Sequence, residues 1–86
     1  MDDRILHLRK TIDKIDQQII RLLKDRMIAA KKVGELKKEL QIPIEDQSRE
    51  REILQRLAEY AGNSITDEQL IRIFKAVFKS SKQVQK

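Results

Sequence analysis

One face of the segment from residue 5 to residue 40 carries apolar residues at the spacing of a helix-packing seam. The steps between neighbours alternate between three and four residues along Ile5, Leu8, Ile12, Ile15, Ile19, Leu22, Arg26, Ala29, Val33, Leu36 and Leu40. This pattern predicts a helix that packs along its whole length, roughly 55 Å. A compact chain of 86 residues has a radius of gyration of only about 12 Å. We therefore expect a second copy of the chain to cover the seam.

Arg26 occupies a position on this seam where the pattern predicts a large aliphatic residue. An isolated buried guanidinium is very costly, because the charge loses its hydration without gaining a partner. We therefore expect Arg26 to meet an anionic group or to face a cavity, which makes it the first candidate functional residue.

The composition indicates a small helical domain rather than a disordered chain. Hydrophobic residues make up 40%, charged residues 38% and aromatic residues 3%, and the chain has two glycines and one proline. The absence of cysteine removes disulfides, thiol nucleophiles and thiolate metal sites, and His7 is the only histidine. We expect no metal and no cofactor. We find neither a signal sequence nor a membrane-spanning run, so we expect a cytoplasmic protein without a membrane partner.

Three helices account for most of the chain, so we predict an all-α fold and a single domain over residues 1–86. Pro43 ends the first helix, because proline cannot continue the hydrogen-bond ladder. Asp46 is a natural N-cap for the second helix, which ends at Gly62, and Thr66 begins the third with a capping box. The helices are predicted from about residue 4 to 40, from about 47 to 61 and from about 67 to 84.

Polar residues lie on the apolar face of each predicted helix, near one end. Arg26 and Lys37 point the same way about 16 Å apart, because the segment between them makes about three helical turns. The other members of this set are Asp46, Arg49 and Glu50 on the second helix, and Ser81 and Gln85 on the third. Their convergence predicts a pocket for a small polyanion that carries a hydroxyl, in agreement with the net charge of +5. Taken singly, several of them also fit an ordinary solvated helix face.

Arg9 cannot share a site with Arg26 on one straight helix. It lies about 25 Å from Arg26 along the helix axis and about 100 degrees around it. In an antiparallel pair of long helices, however, the Arg9 end of one chain approaches the distal part of the other. A dimer with two composite sites would use Arg9, whereas a surface position is the simpler alternative.

The residues named so far resemble those of the all-helical chorismate mutases, the AroQ type, from about residue 6 to residue 85. The matching motifs are Leu8-Arg9-Lys10 with Ile12, Ile15 and Asp16; Leu22-Leu23 ahead of Asp25-Arg26; Val33-Gly34 ahead of Lys37; Ile42-Pro43-Ile44; Asp46 with Arg49-Glu50-Arg51; and Ile73-Phe74 ahead of Ser81 and Gln85. The resemblance implies an intertwined homodimeric bundle with three helices in each chain. It also implies the Claisen rearrangement of chorismate to prephenate, in aromatic amino-acid biosynthesis, without a metal or cofactor.

The resemblance further implies how the substrate is held. Arg26, together with Arg9 contributed across the dimer interface, would bind the two carboxylates of chorismate, and Ser81 would contact a carboxylate end. Lys37 and Gln85 would donate hydrogen bonds to the ether oxygen, where negative charge grows as the bond breaks. Because Gln85 is a neutral amide that needs no protonation to donate, we expect the activity to vary little through neutral pH.

The second helix would complete the site by the same resemblance. Glu50, with Asp46 near the helix start, would accept a hydrogen bond from the ring hydroxyl, and Arg49 would contribute positive potential. An isochorismate pyruvate lyase shares such a cationic pocket and stays the nearest alternative. Both a free-standing enzyme and a domain excised from a bifunctional one agree with this sequence.

A basic helical dimer that binds nucleic acid is a remoter alternative. The net charge of +5 favours it, as do lysines at 75, 79 and 82. Against it, these lysines are typical of a solvated stripe, no basic region precedes the seam, and no aromatic residue is placed to stack on bases. Arg26 would also have no explanation, so we expect no nucleic-acid partner.

Overall fold

A computed structural model describes residues 2–86, which fold into three α-helices. These are α1 (Asp3–Leu40), α2 (Gln47–Ala61) and α3 (Asp67–Gln85). No strand occurs in this part of the chain. The predicted all-α class, with one long helix and two shorter ones, is confirmed.

Local signals in the sequence explain where α1 ends. After Leu40 the backbone turns at Gln41, which adopts a left-handed conformation with φ of 59°. The N–H of Ile42 then bonds to the carbonyl of Lys37 at 2.8 Å, which satisfies one of the last carbonyls of the helix. Pro43 follows this turn, so the chain cannot return to a helix before α2.

Side-chain hydrogen bonds cap the N-termini of the two shorter helices. The Asp46 carboxylate accepts a hydrogen bond from the backbone N–H of Arg49 at 2.9 Å, and this bond caps α2. Thr66 and Gln69 form a reciprocal capping box at the start of α3. Helix α2 ends at Ala61 and is capped by Gly62, whose φ of 59° is one that glycine adopts without steric cost.

Helix α3 lies at the centre of the packing. Both α1 and α2 pack against it, whereas within residues 2–86 the backbones of α1 and α2 do not come close to each other. The buried side chains are Ala30 on α1 and Leu70, Phe78 and Ser81 on α3. The position of α3 therefore sets the distance between the other two helices.

The first half of α1 extends away from this core. Residues 2–22 are all exposed within the single chain, and the seam residues Ile12, Ile15 and Ile19 keep 54%, 47% and 47% of their surface in contact with solvent. The chain measures 56 × 24 × 16 Å, with a radius of gyration of 16.4 Å. A compact chain of this size would have a radius near 12 Å, so one chain alone leaves the seam uncovered.

None of the helices in residues 2–86 is both long and apolar enough to cross a membrane.

Candidate active site

A cavity of about 290 Å³ lies between the second half of α1, the start of α2 and the last turns of α3. Its apolar wall includes Val33, Ile53 and Phe78. Seven of the eight residues predicted for the site line it, namely Arg26, Lys37, Asp46, Arg49, Glu50, Ser81 and Gln85. A concave, partly apolar space with a few convergent polar groups is typical of a small-molecule site.

Arg26 faces this cavity from the middle of α1. Its guanidinium donates a hydrogen bond to the Ser81 hydroxyl, which donates in turn to the Val77 carbonyl at 2.9 Å. The guanidinium carbon also lies 5.9 Å from the centroid of the Phe78 ring, a cation–π distance. Within residues 2–86 Arg26 forms no ion pair. The cavity thus explains a charge on the seam, and that charge remains available for an anionic ligand.

Lys37 faces the cavity about three turns further along α1. Its ammonium group donates a hydrogen bond to the Ile44 carbonyl at 3.1 Å, which ties α1 to the connection that leads into α2. An ammonium group has three donors. One bond therefore orients the side chain and leaves protons for a ligand.

The first turn of α2 contributes three residues of mixed charge. Asp46 uses one carboxylate oxygen to cap the helix. Arg49 pairs with Glu52 at 2.6 Å, and its side chain is 54% exposed. Glu50 is less exposed and pairs with Lys82 on α3 at 3.1 Å. The carboxylate of Glu50 is therefore held between two helices, whereas Arg49 lies at the rim.

Lys82 belongs to the cavity, although the sequence indicated an ordinary solvated lysine. That expectation is wrong for this residue, which lines the cavity and forms ion pairs with Glu45 at 3.3 Å and Glu50 at 3.1 Å. The hydrogen bonds to Glu50 first and Glu45 second raise the pKa of the Lys82 ammonium above its usual value. A signal was present in the sequence, because Lys82 lies four residues after Phe78 and three before Gln85, on the same helix face.

Gln85 lies at the end of α3 against the backbone of α1. A Cβ atom added to Gly34 would lie 2.7 Å from the Cα atom of Gln85 and 2.8 Å from its carbonyl oxygen. Real Cβ atoms do not approach other atoms so closely, so Gly34 is required for the two helices to meet at this depth. This contact places the Gln85 amide at the cavity wall.

Arg9 is the one predicted site residue that the single chain does not bring to the cavity. It lies in the exposed first half of α1, outside the cavity of its own chain. Arg9 lies about 25 Å from Arg26 along α1, too far to reach the cavity of its own chain.

The charges that line the cavity favour an anionic ligand. The cations are Arg26, Lys37, Arg49 and Lys82, against the carboxylates of Asp46 and Glu50. Within the part of the chain that the structure describes, no three His, Cys, Asp or Glu side chains are grouped to hold a metal ion. The cavity therefore has the means to bind and orient an anion through guanidinium and ammonium groups.

Known chorismate mutases are similar to this chain in sequence and in structure. A model of the family described as chorismate mutase type II matches residues 8–86. A chorismate mutase of Methanocaldococcus jannaschii is 37% identical over 87 residues, which cover 100% of this chain and 88% of that protein. A chorismate mutase structure from Thermus thermophilus superimposes with a TM-score of 0.91 and 35% identity, covering 95% of this chain and 93% of that one.

A longer protein is also similar. The bifunctional chorismate mutase/prephenate dehydratase of Aquifex aeolicus is 34% identical over 88 residues. These cover 98% of this chain and 24% of that protein.

The contact at Gly34 predicts the effect of adding a methyl group there. In Gly34→Ala the new Cβ atom pushes the last turn of α3 away, and overpacking of this kind costs about 1–3 kcal/mol. We expect the amides of residues 81–85 to exchange about tenfold faster or more in a hydrogen-exchange experiment. Glu35→Ala, at the next and exposed position, is the control and should leave these rates unchanged. Unaltered exchange in Gly34→Ala would contradict the contact.

Proposed function

This chain belongs to the chorismate mutase type II family, and we propose that it rearranges chorismate to prephenate in the cavity between its three helices. The activity serves aromatic amino-acid biosynthesis. The observation that supports this site is the convergence of Arg26, Lys37, Glu50 and Gln85, from three helices, on one cavity.

The reaction requires a positioned substrate and stabilisation of developing charge, and it requires no nucleophile from the protein. In this Claisen rearrangement one carbon–oxygen bond of the ether breaks while a carbon–carbon bond forms, within a single molecule. The protein contributes by holding the flexible dianion in its compact reactive conformer. It also stabilises the negative charge that grows on the ether oxygen.

Arg26 would bind one carboxylate of the substrate. Its position supports this role, because Arg26 lies on the cavity wall. Its hydrogen bond to Ser81 and its cation–π contact with Phe78 orient the guanidinium without neutralising it. A guanidinium pairs with a carboxylate through two parallel hydrogen bonds. Ser81 would contact the same end of the substrate.

Lys37 and Gln85 would act together at the ether oxygen. Lys37 is oriented by its bond to the Ile44 carbonyl, and Gln85 is held against Gly34. Each side chain has a further proton to donate. Donors fixed in advance stabilise a developing charge with little reorganisation.

The first turn of α2 would recognise the ring hydroxyl. Glu50 offers a carboxylate as the acceptor, with Asp46 close to it at the helix start. Arg49, at the exposed rim, would add positive potential. Both carboxylates and Arg49 line the same cavity.

We also propose that the enzyme is a homodimer in which Arg9 of the partner subunit completes each site. The uncovered seam in residues 2–22 supports this, because an apolar stripe of this length requires another surface. An antiparallel partner helix would bring its Arg9 towards the cavity, as the second guanidinium for a dianion. The single-domain organisation, the cytoplasmic location and the absence of nucleic-acid and membrane partners stay predictions.

Removal of the Arg26 guanidinium tests the site directly. In Arg26→Ala we expect kcat/KM for chorismate to fall about a thousandfold or more, which is a loss of about 4 kcal/mol of transition-state stabilisation. The measurement follows the loss of chorismate absorbance, and acid conversion to phenylpyruvate identifies the product. Arg21→Ala, on the same helix and exposed, is the control. Comparable losses in both variants, or an Arg26→Ala enzyme with full activity, would contradict this site.

Mixing of two inactive variants tests the composite site. When Arg9→Ala and Arg26→Ala chains are unfolded and refolded together, about half the dimers are mixed, and each mixed dimer has one intact site. We expect the mixture to recover about a quarter of the wild-type activity. Each variant refolded alone serves as the control and should stay near background. No recovery, with dimers present by light scattering, would mean that Arg9 does not act across the interface.

The pH profile tests the assignment of the donors and of the charged groups that line the cavity. Gln85 does not titrate, and guanidinium groups remain charged. The raised pKa of Lys82 means that its charge is complete below the ordinary lysine value of about 10.4 and is lost only as the pH rises through the higher folded value. We therefore expect kcat/KM to change less than about threefold between pH 6 and pH 9. A steep decrease on acidification from pH 8 to pH 6 would contradict the assignment.

A further inference from the structure

Lys82 connects three parts of the chain through its ammonium group. It lies in the last turns of α3, and it pairs with Glu45 in the connection before α2 and with Glu50 in the first turn of α2. The exposed fractions of the Lys82 and Glu50 side chains are 32% and 24%, against 61% for Glu45. The pair with Glu50 is thus the more sheltered of the two, and sheltered pairs are less screened by water.

This ion pair leaves one oxygen of Glu50 for a ligand. The Lys82 ammonium contacts Oε2 of Glu50 at 3.1 Å. A carboxylate accepts hydrogen bonds on both oxygens, so Oε1 remains for the substrate hydroxyl. The bond at Oε2 also restricts the rotation of the carboxylate, and this restriction gives Oε1 a defined direction.

The surroundings of Glu50 explain why such an anchor is needed. Its carboxylate lines the same cavity as Arg26, Lys37 and Arg49. Without an anchor it would be drawn towards these cations, because opposite charges attract each other and Glu50 is only 24% exposed to the screening of water. A pair with one of them would neutralise a cation which the dianionic substrate requires.

We propose that Lys82 is a positioning residue that holds Glu50 on the α3 side of the cavity and aims it at the ring hydroxyl of chorismate. The inference rests on the proposed function. Lys82 thereby also keeps Glu50 away from the cations that bind the carboxylates and the ether oxygen. The position of Lys82 on α3, the helix against which α1 and α2 both pack, suits an anchor of this kind. An ordinary lysine is already charged throughout the neutral range, and the hydrogen bonds to Glu50 and Glu45 raise the pKa of the Lys82 ammonium further, so the anchor keeps its charge there.

Replacement of the ammonium by an uncharged group of similar length tests the proposal. The hydroxyl contact exists in both the ground state and the transition state, so in Lys82→Met we expect KM for chorismate to rise about tenfold and kcat to change less than about twofold. Lys82→Arg restores a cation and should return KM to within about threefold of wild type. Lys79→Met, on the exposed side of the same helix, is the matched control. A Lys82→Met enzyme with the KM of wild type would overturn the proposal.

A double-mutant cycle separates positioning from direct contact with the substrate. In a Glu50→Gln background the anchor has no carboxylate to hold, so Lys82→Met should then change KM less than about twofold. An equal tenfold rise in both backgrounds would overturn the proposal, because Lys82 would then act on the substrate or on the fold as a whole. Thermal unfolding of each variant identifies the second case, and Lys82→Gln replaces Lys82→Met if that variant unfolds.

The same assays distinguish this inference from the function on which it rests. A wild-type protein that leaves chorismate unchanged would overturn both. A wild-type protein that forms prephenate, alongside a Lys82→Met variant with unchanged constants, would overturn only the role of Lys82.

Discussion

The geometry of the cavity depends on the close contact between the end of α3 and Gly34 of α1. A side chain at Gly34 would collide with the backbone of Gln85 at 2.7 Å, so α3 reaches this depth only because α1 has a glycine there. Since α1 and α2 both pack on α3, this contact sets how far Glu50 on α2 lies from Arg26 and Lys37 on α1. The absence of a side chain at Gly34 thus allows the close packing of α1 and α3 on which the cavity is built.

The two halves of α1 serve different surfaces but form one continuous helix. The second half provides Arg26 and Lys37 to the cavity, whereas residues 2–22 remain exposed within the single chain. A rigid helix transmits its orientation from one half to the other. In the dimer that we propose, the contact that covers the exposed seam would therefore also bring a second guanidinium to the site.

The internal ion pairs leave charge in the cavity instead of cancelling all of it. Lys82 is paired with Glu50, and Arg49 is paired with Glu52 at the rim, whereas Arg26 is held by a hydroxyl and an aromatic ring. Neutral partners orient a guanidinium without removing its charge. This arrangement agrees with an enzyme that binds a dianion, because Arg26 does not first have to break an ion pair among the residues that the structure describes.

The sequence by itself determined the helices, because the seam, Pro43 and the caps at Asp46 and Thr66 act over only a few residues. It also indicated most of the cavity, since a polar residue on an apolar helix face needs a local explanation, as Arg26 does. Only the tertiary structure decided the environment of Lys82, because a lysine beside an apolar face is equally stable in water until two carboxylates from other segments approach it. The close approach of α3 to Gly34 could not be predicted from the sequence either, because it depends on the packing of residues that are distant along the chain.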